Sequence, residues 1–385
     1  MKNTFGTNLS VTIFGESHGP AVGAVLDGLA AGLPVDEAQI AACMDRRRAR
    51  GDGLTTARTE ADAVRILSGV VNGRTTGTPI TLMIENKNTR SADYAKTADL
   101  LRPGHADYTA YAKYHGFQDA RGGGHFSGRV TAGLVAAGAV CLQLLAAENI
   151  HIATHIARCA GVQDTPFAAD DARQTEQQVR ALNALADPAR FALLDPQQEA
   201  PMQAAIRAAG AEGDSVGGIL ETAVTGLPAG VGEPFFDSVE SALAHMAFSI
   251  PAVKGIEFGA GFGFADLRGS RANDPFRLDE HRRVYTATNH NGGVNGGITN
   301  GMPVVFRTVV KPTPSIYKQQ DTVDYFHLTE AALSIQGRHD PCILPRAAIV
   351  QSCAAAIALA DLMTARYGTA WMLNHLQDIP EEIHF

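Results

Sequence analysis

The chain has no C-x-x-C pair, and its five cysteines, at 43, 141, 159, 342 and 353, are odd in number. That pattern argues against a disulfide framework and predicts reduced thiols in a cytosolic protein, with no structural metal site. Neither G-x-x-x-x-G-K-S/T nor G-x-G-x-x-G occurs, which removes the Walker phosphate loop and the standard dinucleotide fingerprint. A basic-then-apolar leader is missing at the N-terminus, so no export signal is expected. The longest apolar run, 133–147, contains Gln143 and is too short for a bilayer, which makes it a buried core helix. An excess of positive charge is also missing. The net charge of −8 argues against general binding to nucleic acid or anionic membranes.

What is present is ordinary in bulk and uneven in detail. With 385 residues, 45% hydrophobic and 19% charged, the chain is a globular protein able to bury a substantial core. Its arginines cluster at Arg46, Arg47, Arg48 and Arg50, and again at Arg121 and Arg129. A local basic pocket on an acidic chain fits a small anionic ligand better than a polymer.

Val11 to Phe14 and Ala21 to Leu29 read as paired strands around the turn Gly15-Glu16-Ser17-His18-Gly19, and Thr78 to Glu85 as a further strand. Asp36 caps a helix running to about Arg48. Gly122 to Gly124 lead through Ser127 into a small-residue helix from Arg129 to Glu148, roughly 30 Å long at about 1.5 Å per residue. Residues 165–213 read as a peripheral helical insertion, Asp237 to Glu240 as a capping box, and the glycine-rich stretch 255–301 as mostly loop. Pro345 and Gly368 bracket a last long helix. The fold class expected is α+β, a single 1–385 domain with helices packed on antiparallel sheets.

Four loops carry the chemistry. Gly15 to Gly19 matches the G-x-S-x-G nucleophile elbow, but a strand follows where that elbow needs a helix, so a serine hydrolase built on Ser17 is disfavoured. A histidine titrates near neutral pH, so His18 and His105, the latter in Arg102-Pro103-Gly104-His105-Ala106-Asp107-Tyr108, form a plausible proton-transfer pair. Gly122-Gly123-Gly124 before a helix resembles an anion cradle, with a plain turn as the alternative. Gly337-Arg338-His339-Asp340-Pro341-Cys342 precedes the last helix and holds either an acid or base, or a salt-bridged cap. A non-catalytic anion- or RNA-binding module on Arg46 to Arg50 is the other rival.

Together these loops resemble the chorismate synthase family. The matching pieces are Gly15 to Gly19, Asp45 to Arg48, Arg102 to Tyr108, Arg121 to Arg129, Lys311 to Thr313 and Gly337 to Cys342, in the family's order along nearly the whole chain. The resemblance implies a helical core between antiparallel sheets, a homotetramer, and cytoplasmic work in the shikimate pathway. It implies a reduced-FMN-dependent 1,4-elimination of phosphate from 5-enolpyruvylshikimate-3-phosphate to give chorismate, with NADPH only as an electron source for the flavin. It assigns phosphate departure to His18, the flavin side to His105, and the neighbourhood of the flavin's N5 to Asp340. Ser17, Arg47, Arg48 and Arg129 fall to the substrate. His125, Phe126, Ser127, Ala252, Gly296, Lys311, Pro312, Thr313, Pro314, Ser315 and Arg338 fall to the cofactor. Gly53 departs from a frequent arginine, with Arg50 as a possible substitute, and Gln351 departs from a glutamate.

Overall fold

The computed structural model describes residues 2–56, 61–87, 99–335 and 339–376. Near the N-terminus β1 (Thr4–Phe5), β2 (Ser10–Gly15) and β3 (Ala21–Asp27) run antiparallel, β2 and β3 pairing from Ser10↔Asp27 to Gly15↔Val22. With β4 (Val64–Ser68) and β5 (Ile80–Glu85) they form a five-stranded sheet in the order β1-β2-β3-β5-β4. Val22, Ala24 and Leu26 on β3, and Ile80, Leu82 and Ile84 on β5, are fully buried at every second position, giving the sheet one core face. The strands expected at 11–14, 21–29 and 78–85 all lie in it.

A second antiparallel sheet joins β6 (His151–Cys159), β7 (Val162–Gln163), β8 (Gly218–Thr225), β9 (Val253–Phe258) and β10 (Val304–Val310) in the order β9-β10-β8-β6-β7. Its strand β9 runs into the stretch expected to be mostly loop.

The helices follow their caps. The Asp36 carboxylate accepts the Ala38 N–H (2.8 Å) and opens α1 (Glu37–Arg47). Then come α2 (Asp107–Tyr114), α3 (Thr131–Ala147), and α4 (Ala172–Asn183) with α5 (Glu199–Ala211), which make 165–213 helical. The cap of α6 (Val239–Ala247) is Ser238, one residue past the expected Asp237: its hydroxyl accepts the Ser241 N–H at 3.0 Å. After the single turn α7 (Gly269–Ala272), α8 (Leu344–Tyr367) begins with Pro345 in its first turn and stops at Gly368.

α3 and α8 lie against one another between the two sheets, α3 on the first and α8 on the second. Both are apolar enough to cross a membrane by length and composition, yet 78% and 94% of those stretches are buried inside the fold. Apolar residues on all faces are what a helix covered on all sides requires. Glycines mark two of the contacts. A Cβ at Gly133 would stand 2.4 Å from the Gly23 carbonyl oxygen of β3, and one at Gly138 would stand 2.4 Å from the Cys353 Cβ of α8. Between α8 and the second sheet, Gln351 Nε2 donates to Thr222 Oγ1 (2.8 Å), and Ser352 hydrogen-bonds Thr154 (2.8 Å). Gln351, a departure from the family, is therefore a buried core residue here.

Candidate active site

Three consecutive glycines fix the centre of the site. Gly122, Gly123 and Gly124 have φ of 62°, 103° and 53°, left-handed values that side chains resist. Space forbids a side chain as well. A Cβ on Gly122 would stand 2.1 Å from His18 Cε1, one on Gly123 would stand 3.2 Å from His105 Cε1 and Nε2, and one on Gly124 would stand 2.0 Å from the Asp119 carbonyl oxygen. The two histidines, 87 positions apart in sequence, thus lie against neighbouring glycines of one loop.

His105 stands in a self-contained turn. Its N–H donates to the Arg102 carbonyl (3.1 Å), and its Nδ1 lies 3.0 Å from Asp107 Oδ1. Arg102 grips the same carboxylate through NH2 to Oδ1 (2.6 Å) and Nε to Oδ2 (2.8 Å). On the other side, Ser17 Oγ donates its single proton to the Arg121 carbonyl (3.1 Å) and is left to accept from His18 Nδ1 (3.1 Å). Ser17 is buried, on a hairpin turn between β2 and β3, so the strand-turn-helix context of a hydrolase elbow is absent here.

Around the triglycine opens a cavity of about 800 Å³. Among the described residues seven cations line it, Lys2, Arg47, Arg48, Arg102, Arg129, Lys311 and Arg346, and the carboxylates in its walls are Asp62 and Asp340. For a chain of net charge −8 this is a strong local reversal of sign. His105, His125, Phe126, Ser127, Ala252, Thr313, Pro314, Ser315 and His339 share the wall. His125 Nδ1–H donates to the Gly15 carbonyl (2.8 Å), and Lys311 Nζ to the Gly104 carbonyl (2.5 Å). Ala252 holds φ 74°, a strained value for a residue with a side chain.

The arginines differ from the simple anion clamp expected. Arg47 and Arg129 are buried and both grip Asp62, Arg47 NH1 at 2.7 Å from Oδ2 and Arg129 NH1 on Oδ1. Arg47 also donates to Thr131 Oγ1 (3.1 Å), and Arg129 to Asn86 Oδ1 (2.9 Å). Arg48 is 38% exposed and pairs with Asp45. Arg50 donates to the Asp45 carbonyl (3.0 Å) and does not line the cavity. Asp340 accepts the Thr56 N–H (2.9 Å) through Oδ1, with Arg346 3.4 Å from Oδ2.

Ser17, His18, Pro312 and Gly296 do not line the cavity. Ser17 and His18 stand one layer behind, at Gly122. Gly296 turns the hairpin between strands Val294–Asn295 and Ile298–Thr299, whose Gly297 abuts Glu233 and Ser238 at the start of α6. Arg338 lies outside the described residues, as does Gly337. Sequence reading gave no role to Asp62, Arg346 or Asp107. Asp107 alone had a local signal, its place two residues after His105; Asp62 meets Arg129 across 67 positions.

Comparison with known proteins decides the family. A family model described as chorismate synthase matches residues 9–364. The chain belongs to the chorismate synthase family. It is 45% identical over 362 residues to chorismate synthase of Dehalococcoides mccartyi strain 195, covering 94% of this chain and 96% of that one. With the Chitinophaga pinensis protein of the same name it shares 47% over 361 residues (94% and 96%), and with that of Archaeoglobus fulgidus 46% (94% and 97%). A crystal structure of chorismate synthase superposes with a TM-score of 0.73 at 28% identity, covering 94% of each chain, and so supports the α+β fold. The chain is thus an enzyme of the carbon–oxygen lyase class in the shikimate pathway, acting on a small molecule.

Proposed function

We propose that the cavity binds reduced FMN together with 5-enolpyruvylshikimate-3-phosphate and carries out a 1,4-elimination to chorismate and phosphate. The observation that carries this is the concentration of seven cations beside His105 and Asp340, which suits a substrate with two carboxylates and a phosphate. The volume, near the upper end of the ~300–1,000 Å³ range of small-molecule sites, leaves room for two ligands in contact. Thr313 Oγ1 and His339 Nε2 are buried on its wall without a hydrogen-bond partner among the described residues, and such atoms fit a flat ligand with a polar edge. Lys311, Thr313, Pro314, Ser315, His125, Phe126, Ser127 and Ala252 would hold the cofactor.

When bound, reduced FMN would supply an electron-rich ring to the reaction, with no net redox change. Asp340, kept in place by the Thr56 N–H, would receive the departing proton. His105, whose Nε2 stands against the triglycine, would act on the flavin side, and His18, behind Gly122, would supply hydrogen bonding or a proton for the leaving phosphate. Arg48, Arg346 and Lys311 meet the substrate's charges, and the buried Arg47–Asp62–Arg129 group forms the rigid floor. We include in this reading a cytoplasmic enzyme of one domain with 165–213 as an insertion, assembled as a homotetramer. NADPH serves at most to reduce the flavin.

An anaerobic assay with photoreduced FMN, with and without NADPH, tests it. Phosphate and chorismate should appear together only with reduced flavin. Phosphate release without reduced flavin would overturn the assignment.

A further inference from the structure

We propose that Asp107 is the positioning residue of His105: held by Arg102, its carboxylate fixes the imidazole as the Nδ1–H tautomer and leaves Nε2 as the nitrogen that exchanges protons. The proposal rests on the reading of His105 as a proton-transfer residue.

Two groups compete for one nitrogen. His105 Nδ1 lies 3.0 Å from Asp107 Oδ1 and 3.2 Å from Arg102 NH2. A guanidinium can only donate, so it would demand a lone pair on Nδ1, whereas a carboxylate can only accept and demands a proton there. Both demands cannot be met. Arg102 NH2 already donates to Oδ1 over the shorter distance of 2.6 Å, and its Nε and backbone N–H both donate to Oδ2, at 2.8 and 2.9 Å. The carboxylate therefore keeps Nδ1–H, and the guanidinium is a neighbour of the ring.

Those contacts also hold the carboxylate charged and still. Burial opposes its ionisation, but the hydrogen bonds and charge of Arg102, with His105, hold its carboxyl well below the usual range. Asp107 is the first residue of α2, where a negative charge is favoured. Gly104, at φ 72°, lets the chain turn so that residues 102, 105 and 107 converge. Nε2 then points to the Gly123 backbone at the cavity. A carboxylate oriented in this way selects the tautomer of a working histidine.

Asp107→Asn tests the idea because Arg102 would claim the amide oxygen and turn the NH2 toward Nδ1, reversing the tautomer. A four-member cycle of wild type, Asp107→Asn, His105→Ala and the double variant is measured for kcat at saturating reduced FMN. Asp107→Asn should lose about 10- to 100-fold in the wild-type background and less than about 2-fold in the His105→Ala background. Equal losses in both backgrounds would mean a structural role only and overturn the proposal. The ¹⁵N spectrum of histidine-labelled protein, assigned by difference with His105→Ala, provides a readout without turnover. A protonated Nδ1 and bare Nε2 are expected in neutral wild-type His105, and Nε2–H in Asp107→Asn; Nε2–H in wild type would overturn it. Asp107→Glu enters the same cycle should the asparagine variant not fold. Absence of wild-type turnover would count against the proposed function, while the tautomer result would still decide this inference.

Discussion

At the scale of single residues, the surroundings of each arginine decide what removing it should do. Arg48 is partly exposed and paired only with Asp45 among the contacts described above. Arg48→Ala should leave the fold nearly unchanged and weaken substrate binding by about 1.5–3 kcal/mol, the scale of a charge-assisted hydrogen bond. Arg129 is different. It shares Asp62 with Arg47 among buried side chains, and deleting it leaves Asp62 paired with Arg47 alone and strips Asn86 Oδ1 of its donor. Arg129→Ala should therefore cost about 1–3 kcal/mol of stability, the scale of lost buried hydrogen bonds, before any effect on binding. Urea unfolding and substrate titration on both variants separate the two effects; equal stability loss would contradict the assignment of burial and pairing. His155 is a second buried group with a definite sign. It is closed in by Asp164 (2.7 Å) and Glu221 (2.9 Å). Burial disfavours its charge, but those two carboxylates overcome that and raise its pKa. A raised folded pKa means stability fully present below about pH 6.5, the unfolded value, and lost as pH rises through the folded one. His155→Asn should thus destabilise strongly at pH 6 and by less at pH 9, as urea midpoints will show.

At the scale of elements, what could be read from sequence divides by whether the signal is local. Asp36, Pro345 and Gly368 announced helix ends, and the ends lie there, because capping is settled within a few residues. The second sheet was not legible. Leu220 to Thr225 of β8 are all buried, lying between α8 and α4, so the alternation that betrays a half-exposed strand is missing. The site divides in the same way. His105, Asp107 and Arg102 sit in one hexapeptide, whereas Asp62 gains its meaning only from Arg47 and Arg129. Helix packing gives a prediction in which two effects compete. In an exposed helix Gly→Ala would gain about 1 kcal/mol from propensity. At Gly138 the new Cβ would meet the Cβ and backbone of Cys353 at 2.4–2.7 Å, forcing α3 and α8 apart at an overpacking cost of about 1–3 kcal/mol. The steric effect wins on these magnitudes, since α8 cannot retreat without opening the second sheet. Gly138→Ala should lower the thermal midpoint, and an unchanged or higher midpoint would show that the helices have slack.

At the scale of the whole molecule, the surface carries a feature that one chain does not explain. Phe235 and Phe236, 86% and 90% exposed, project side by side from the turn before α6, with ring centroids 6.3 Å apart. Phe235 holds φ 67°, so the backbone is strained to keep the pair outward. Exposed apolar patches of this kind mark association surfaces. Gly296 belongs to the same corner, since its hairpin abuts Glu233 and Ser238. The cavity, by contrast, is lined by His245 and Met246 at the far end of α6, about 10 Å along a nine-residue helix at ~1.5 Å per residue. In the proposed reading, a flavin contact at Gly296 would be made to the cavity of a neighbouring copy, which would tie the proposed assembly to the proposed cofactor. Phe235→Ser with Phe236→Ser should yield smaller species in sedimentation at micromolar concentration. The same variant should bind reduced FMN more weakly although every residue lining its own cavity is intact. Retention of both the wild-type mass and the wild-type flavin affinity would detach this corner from assembly and from the site together, and would return Gly296 to the role of an ordinary turn.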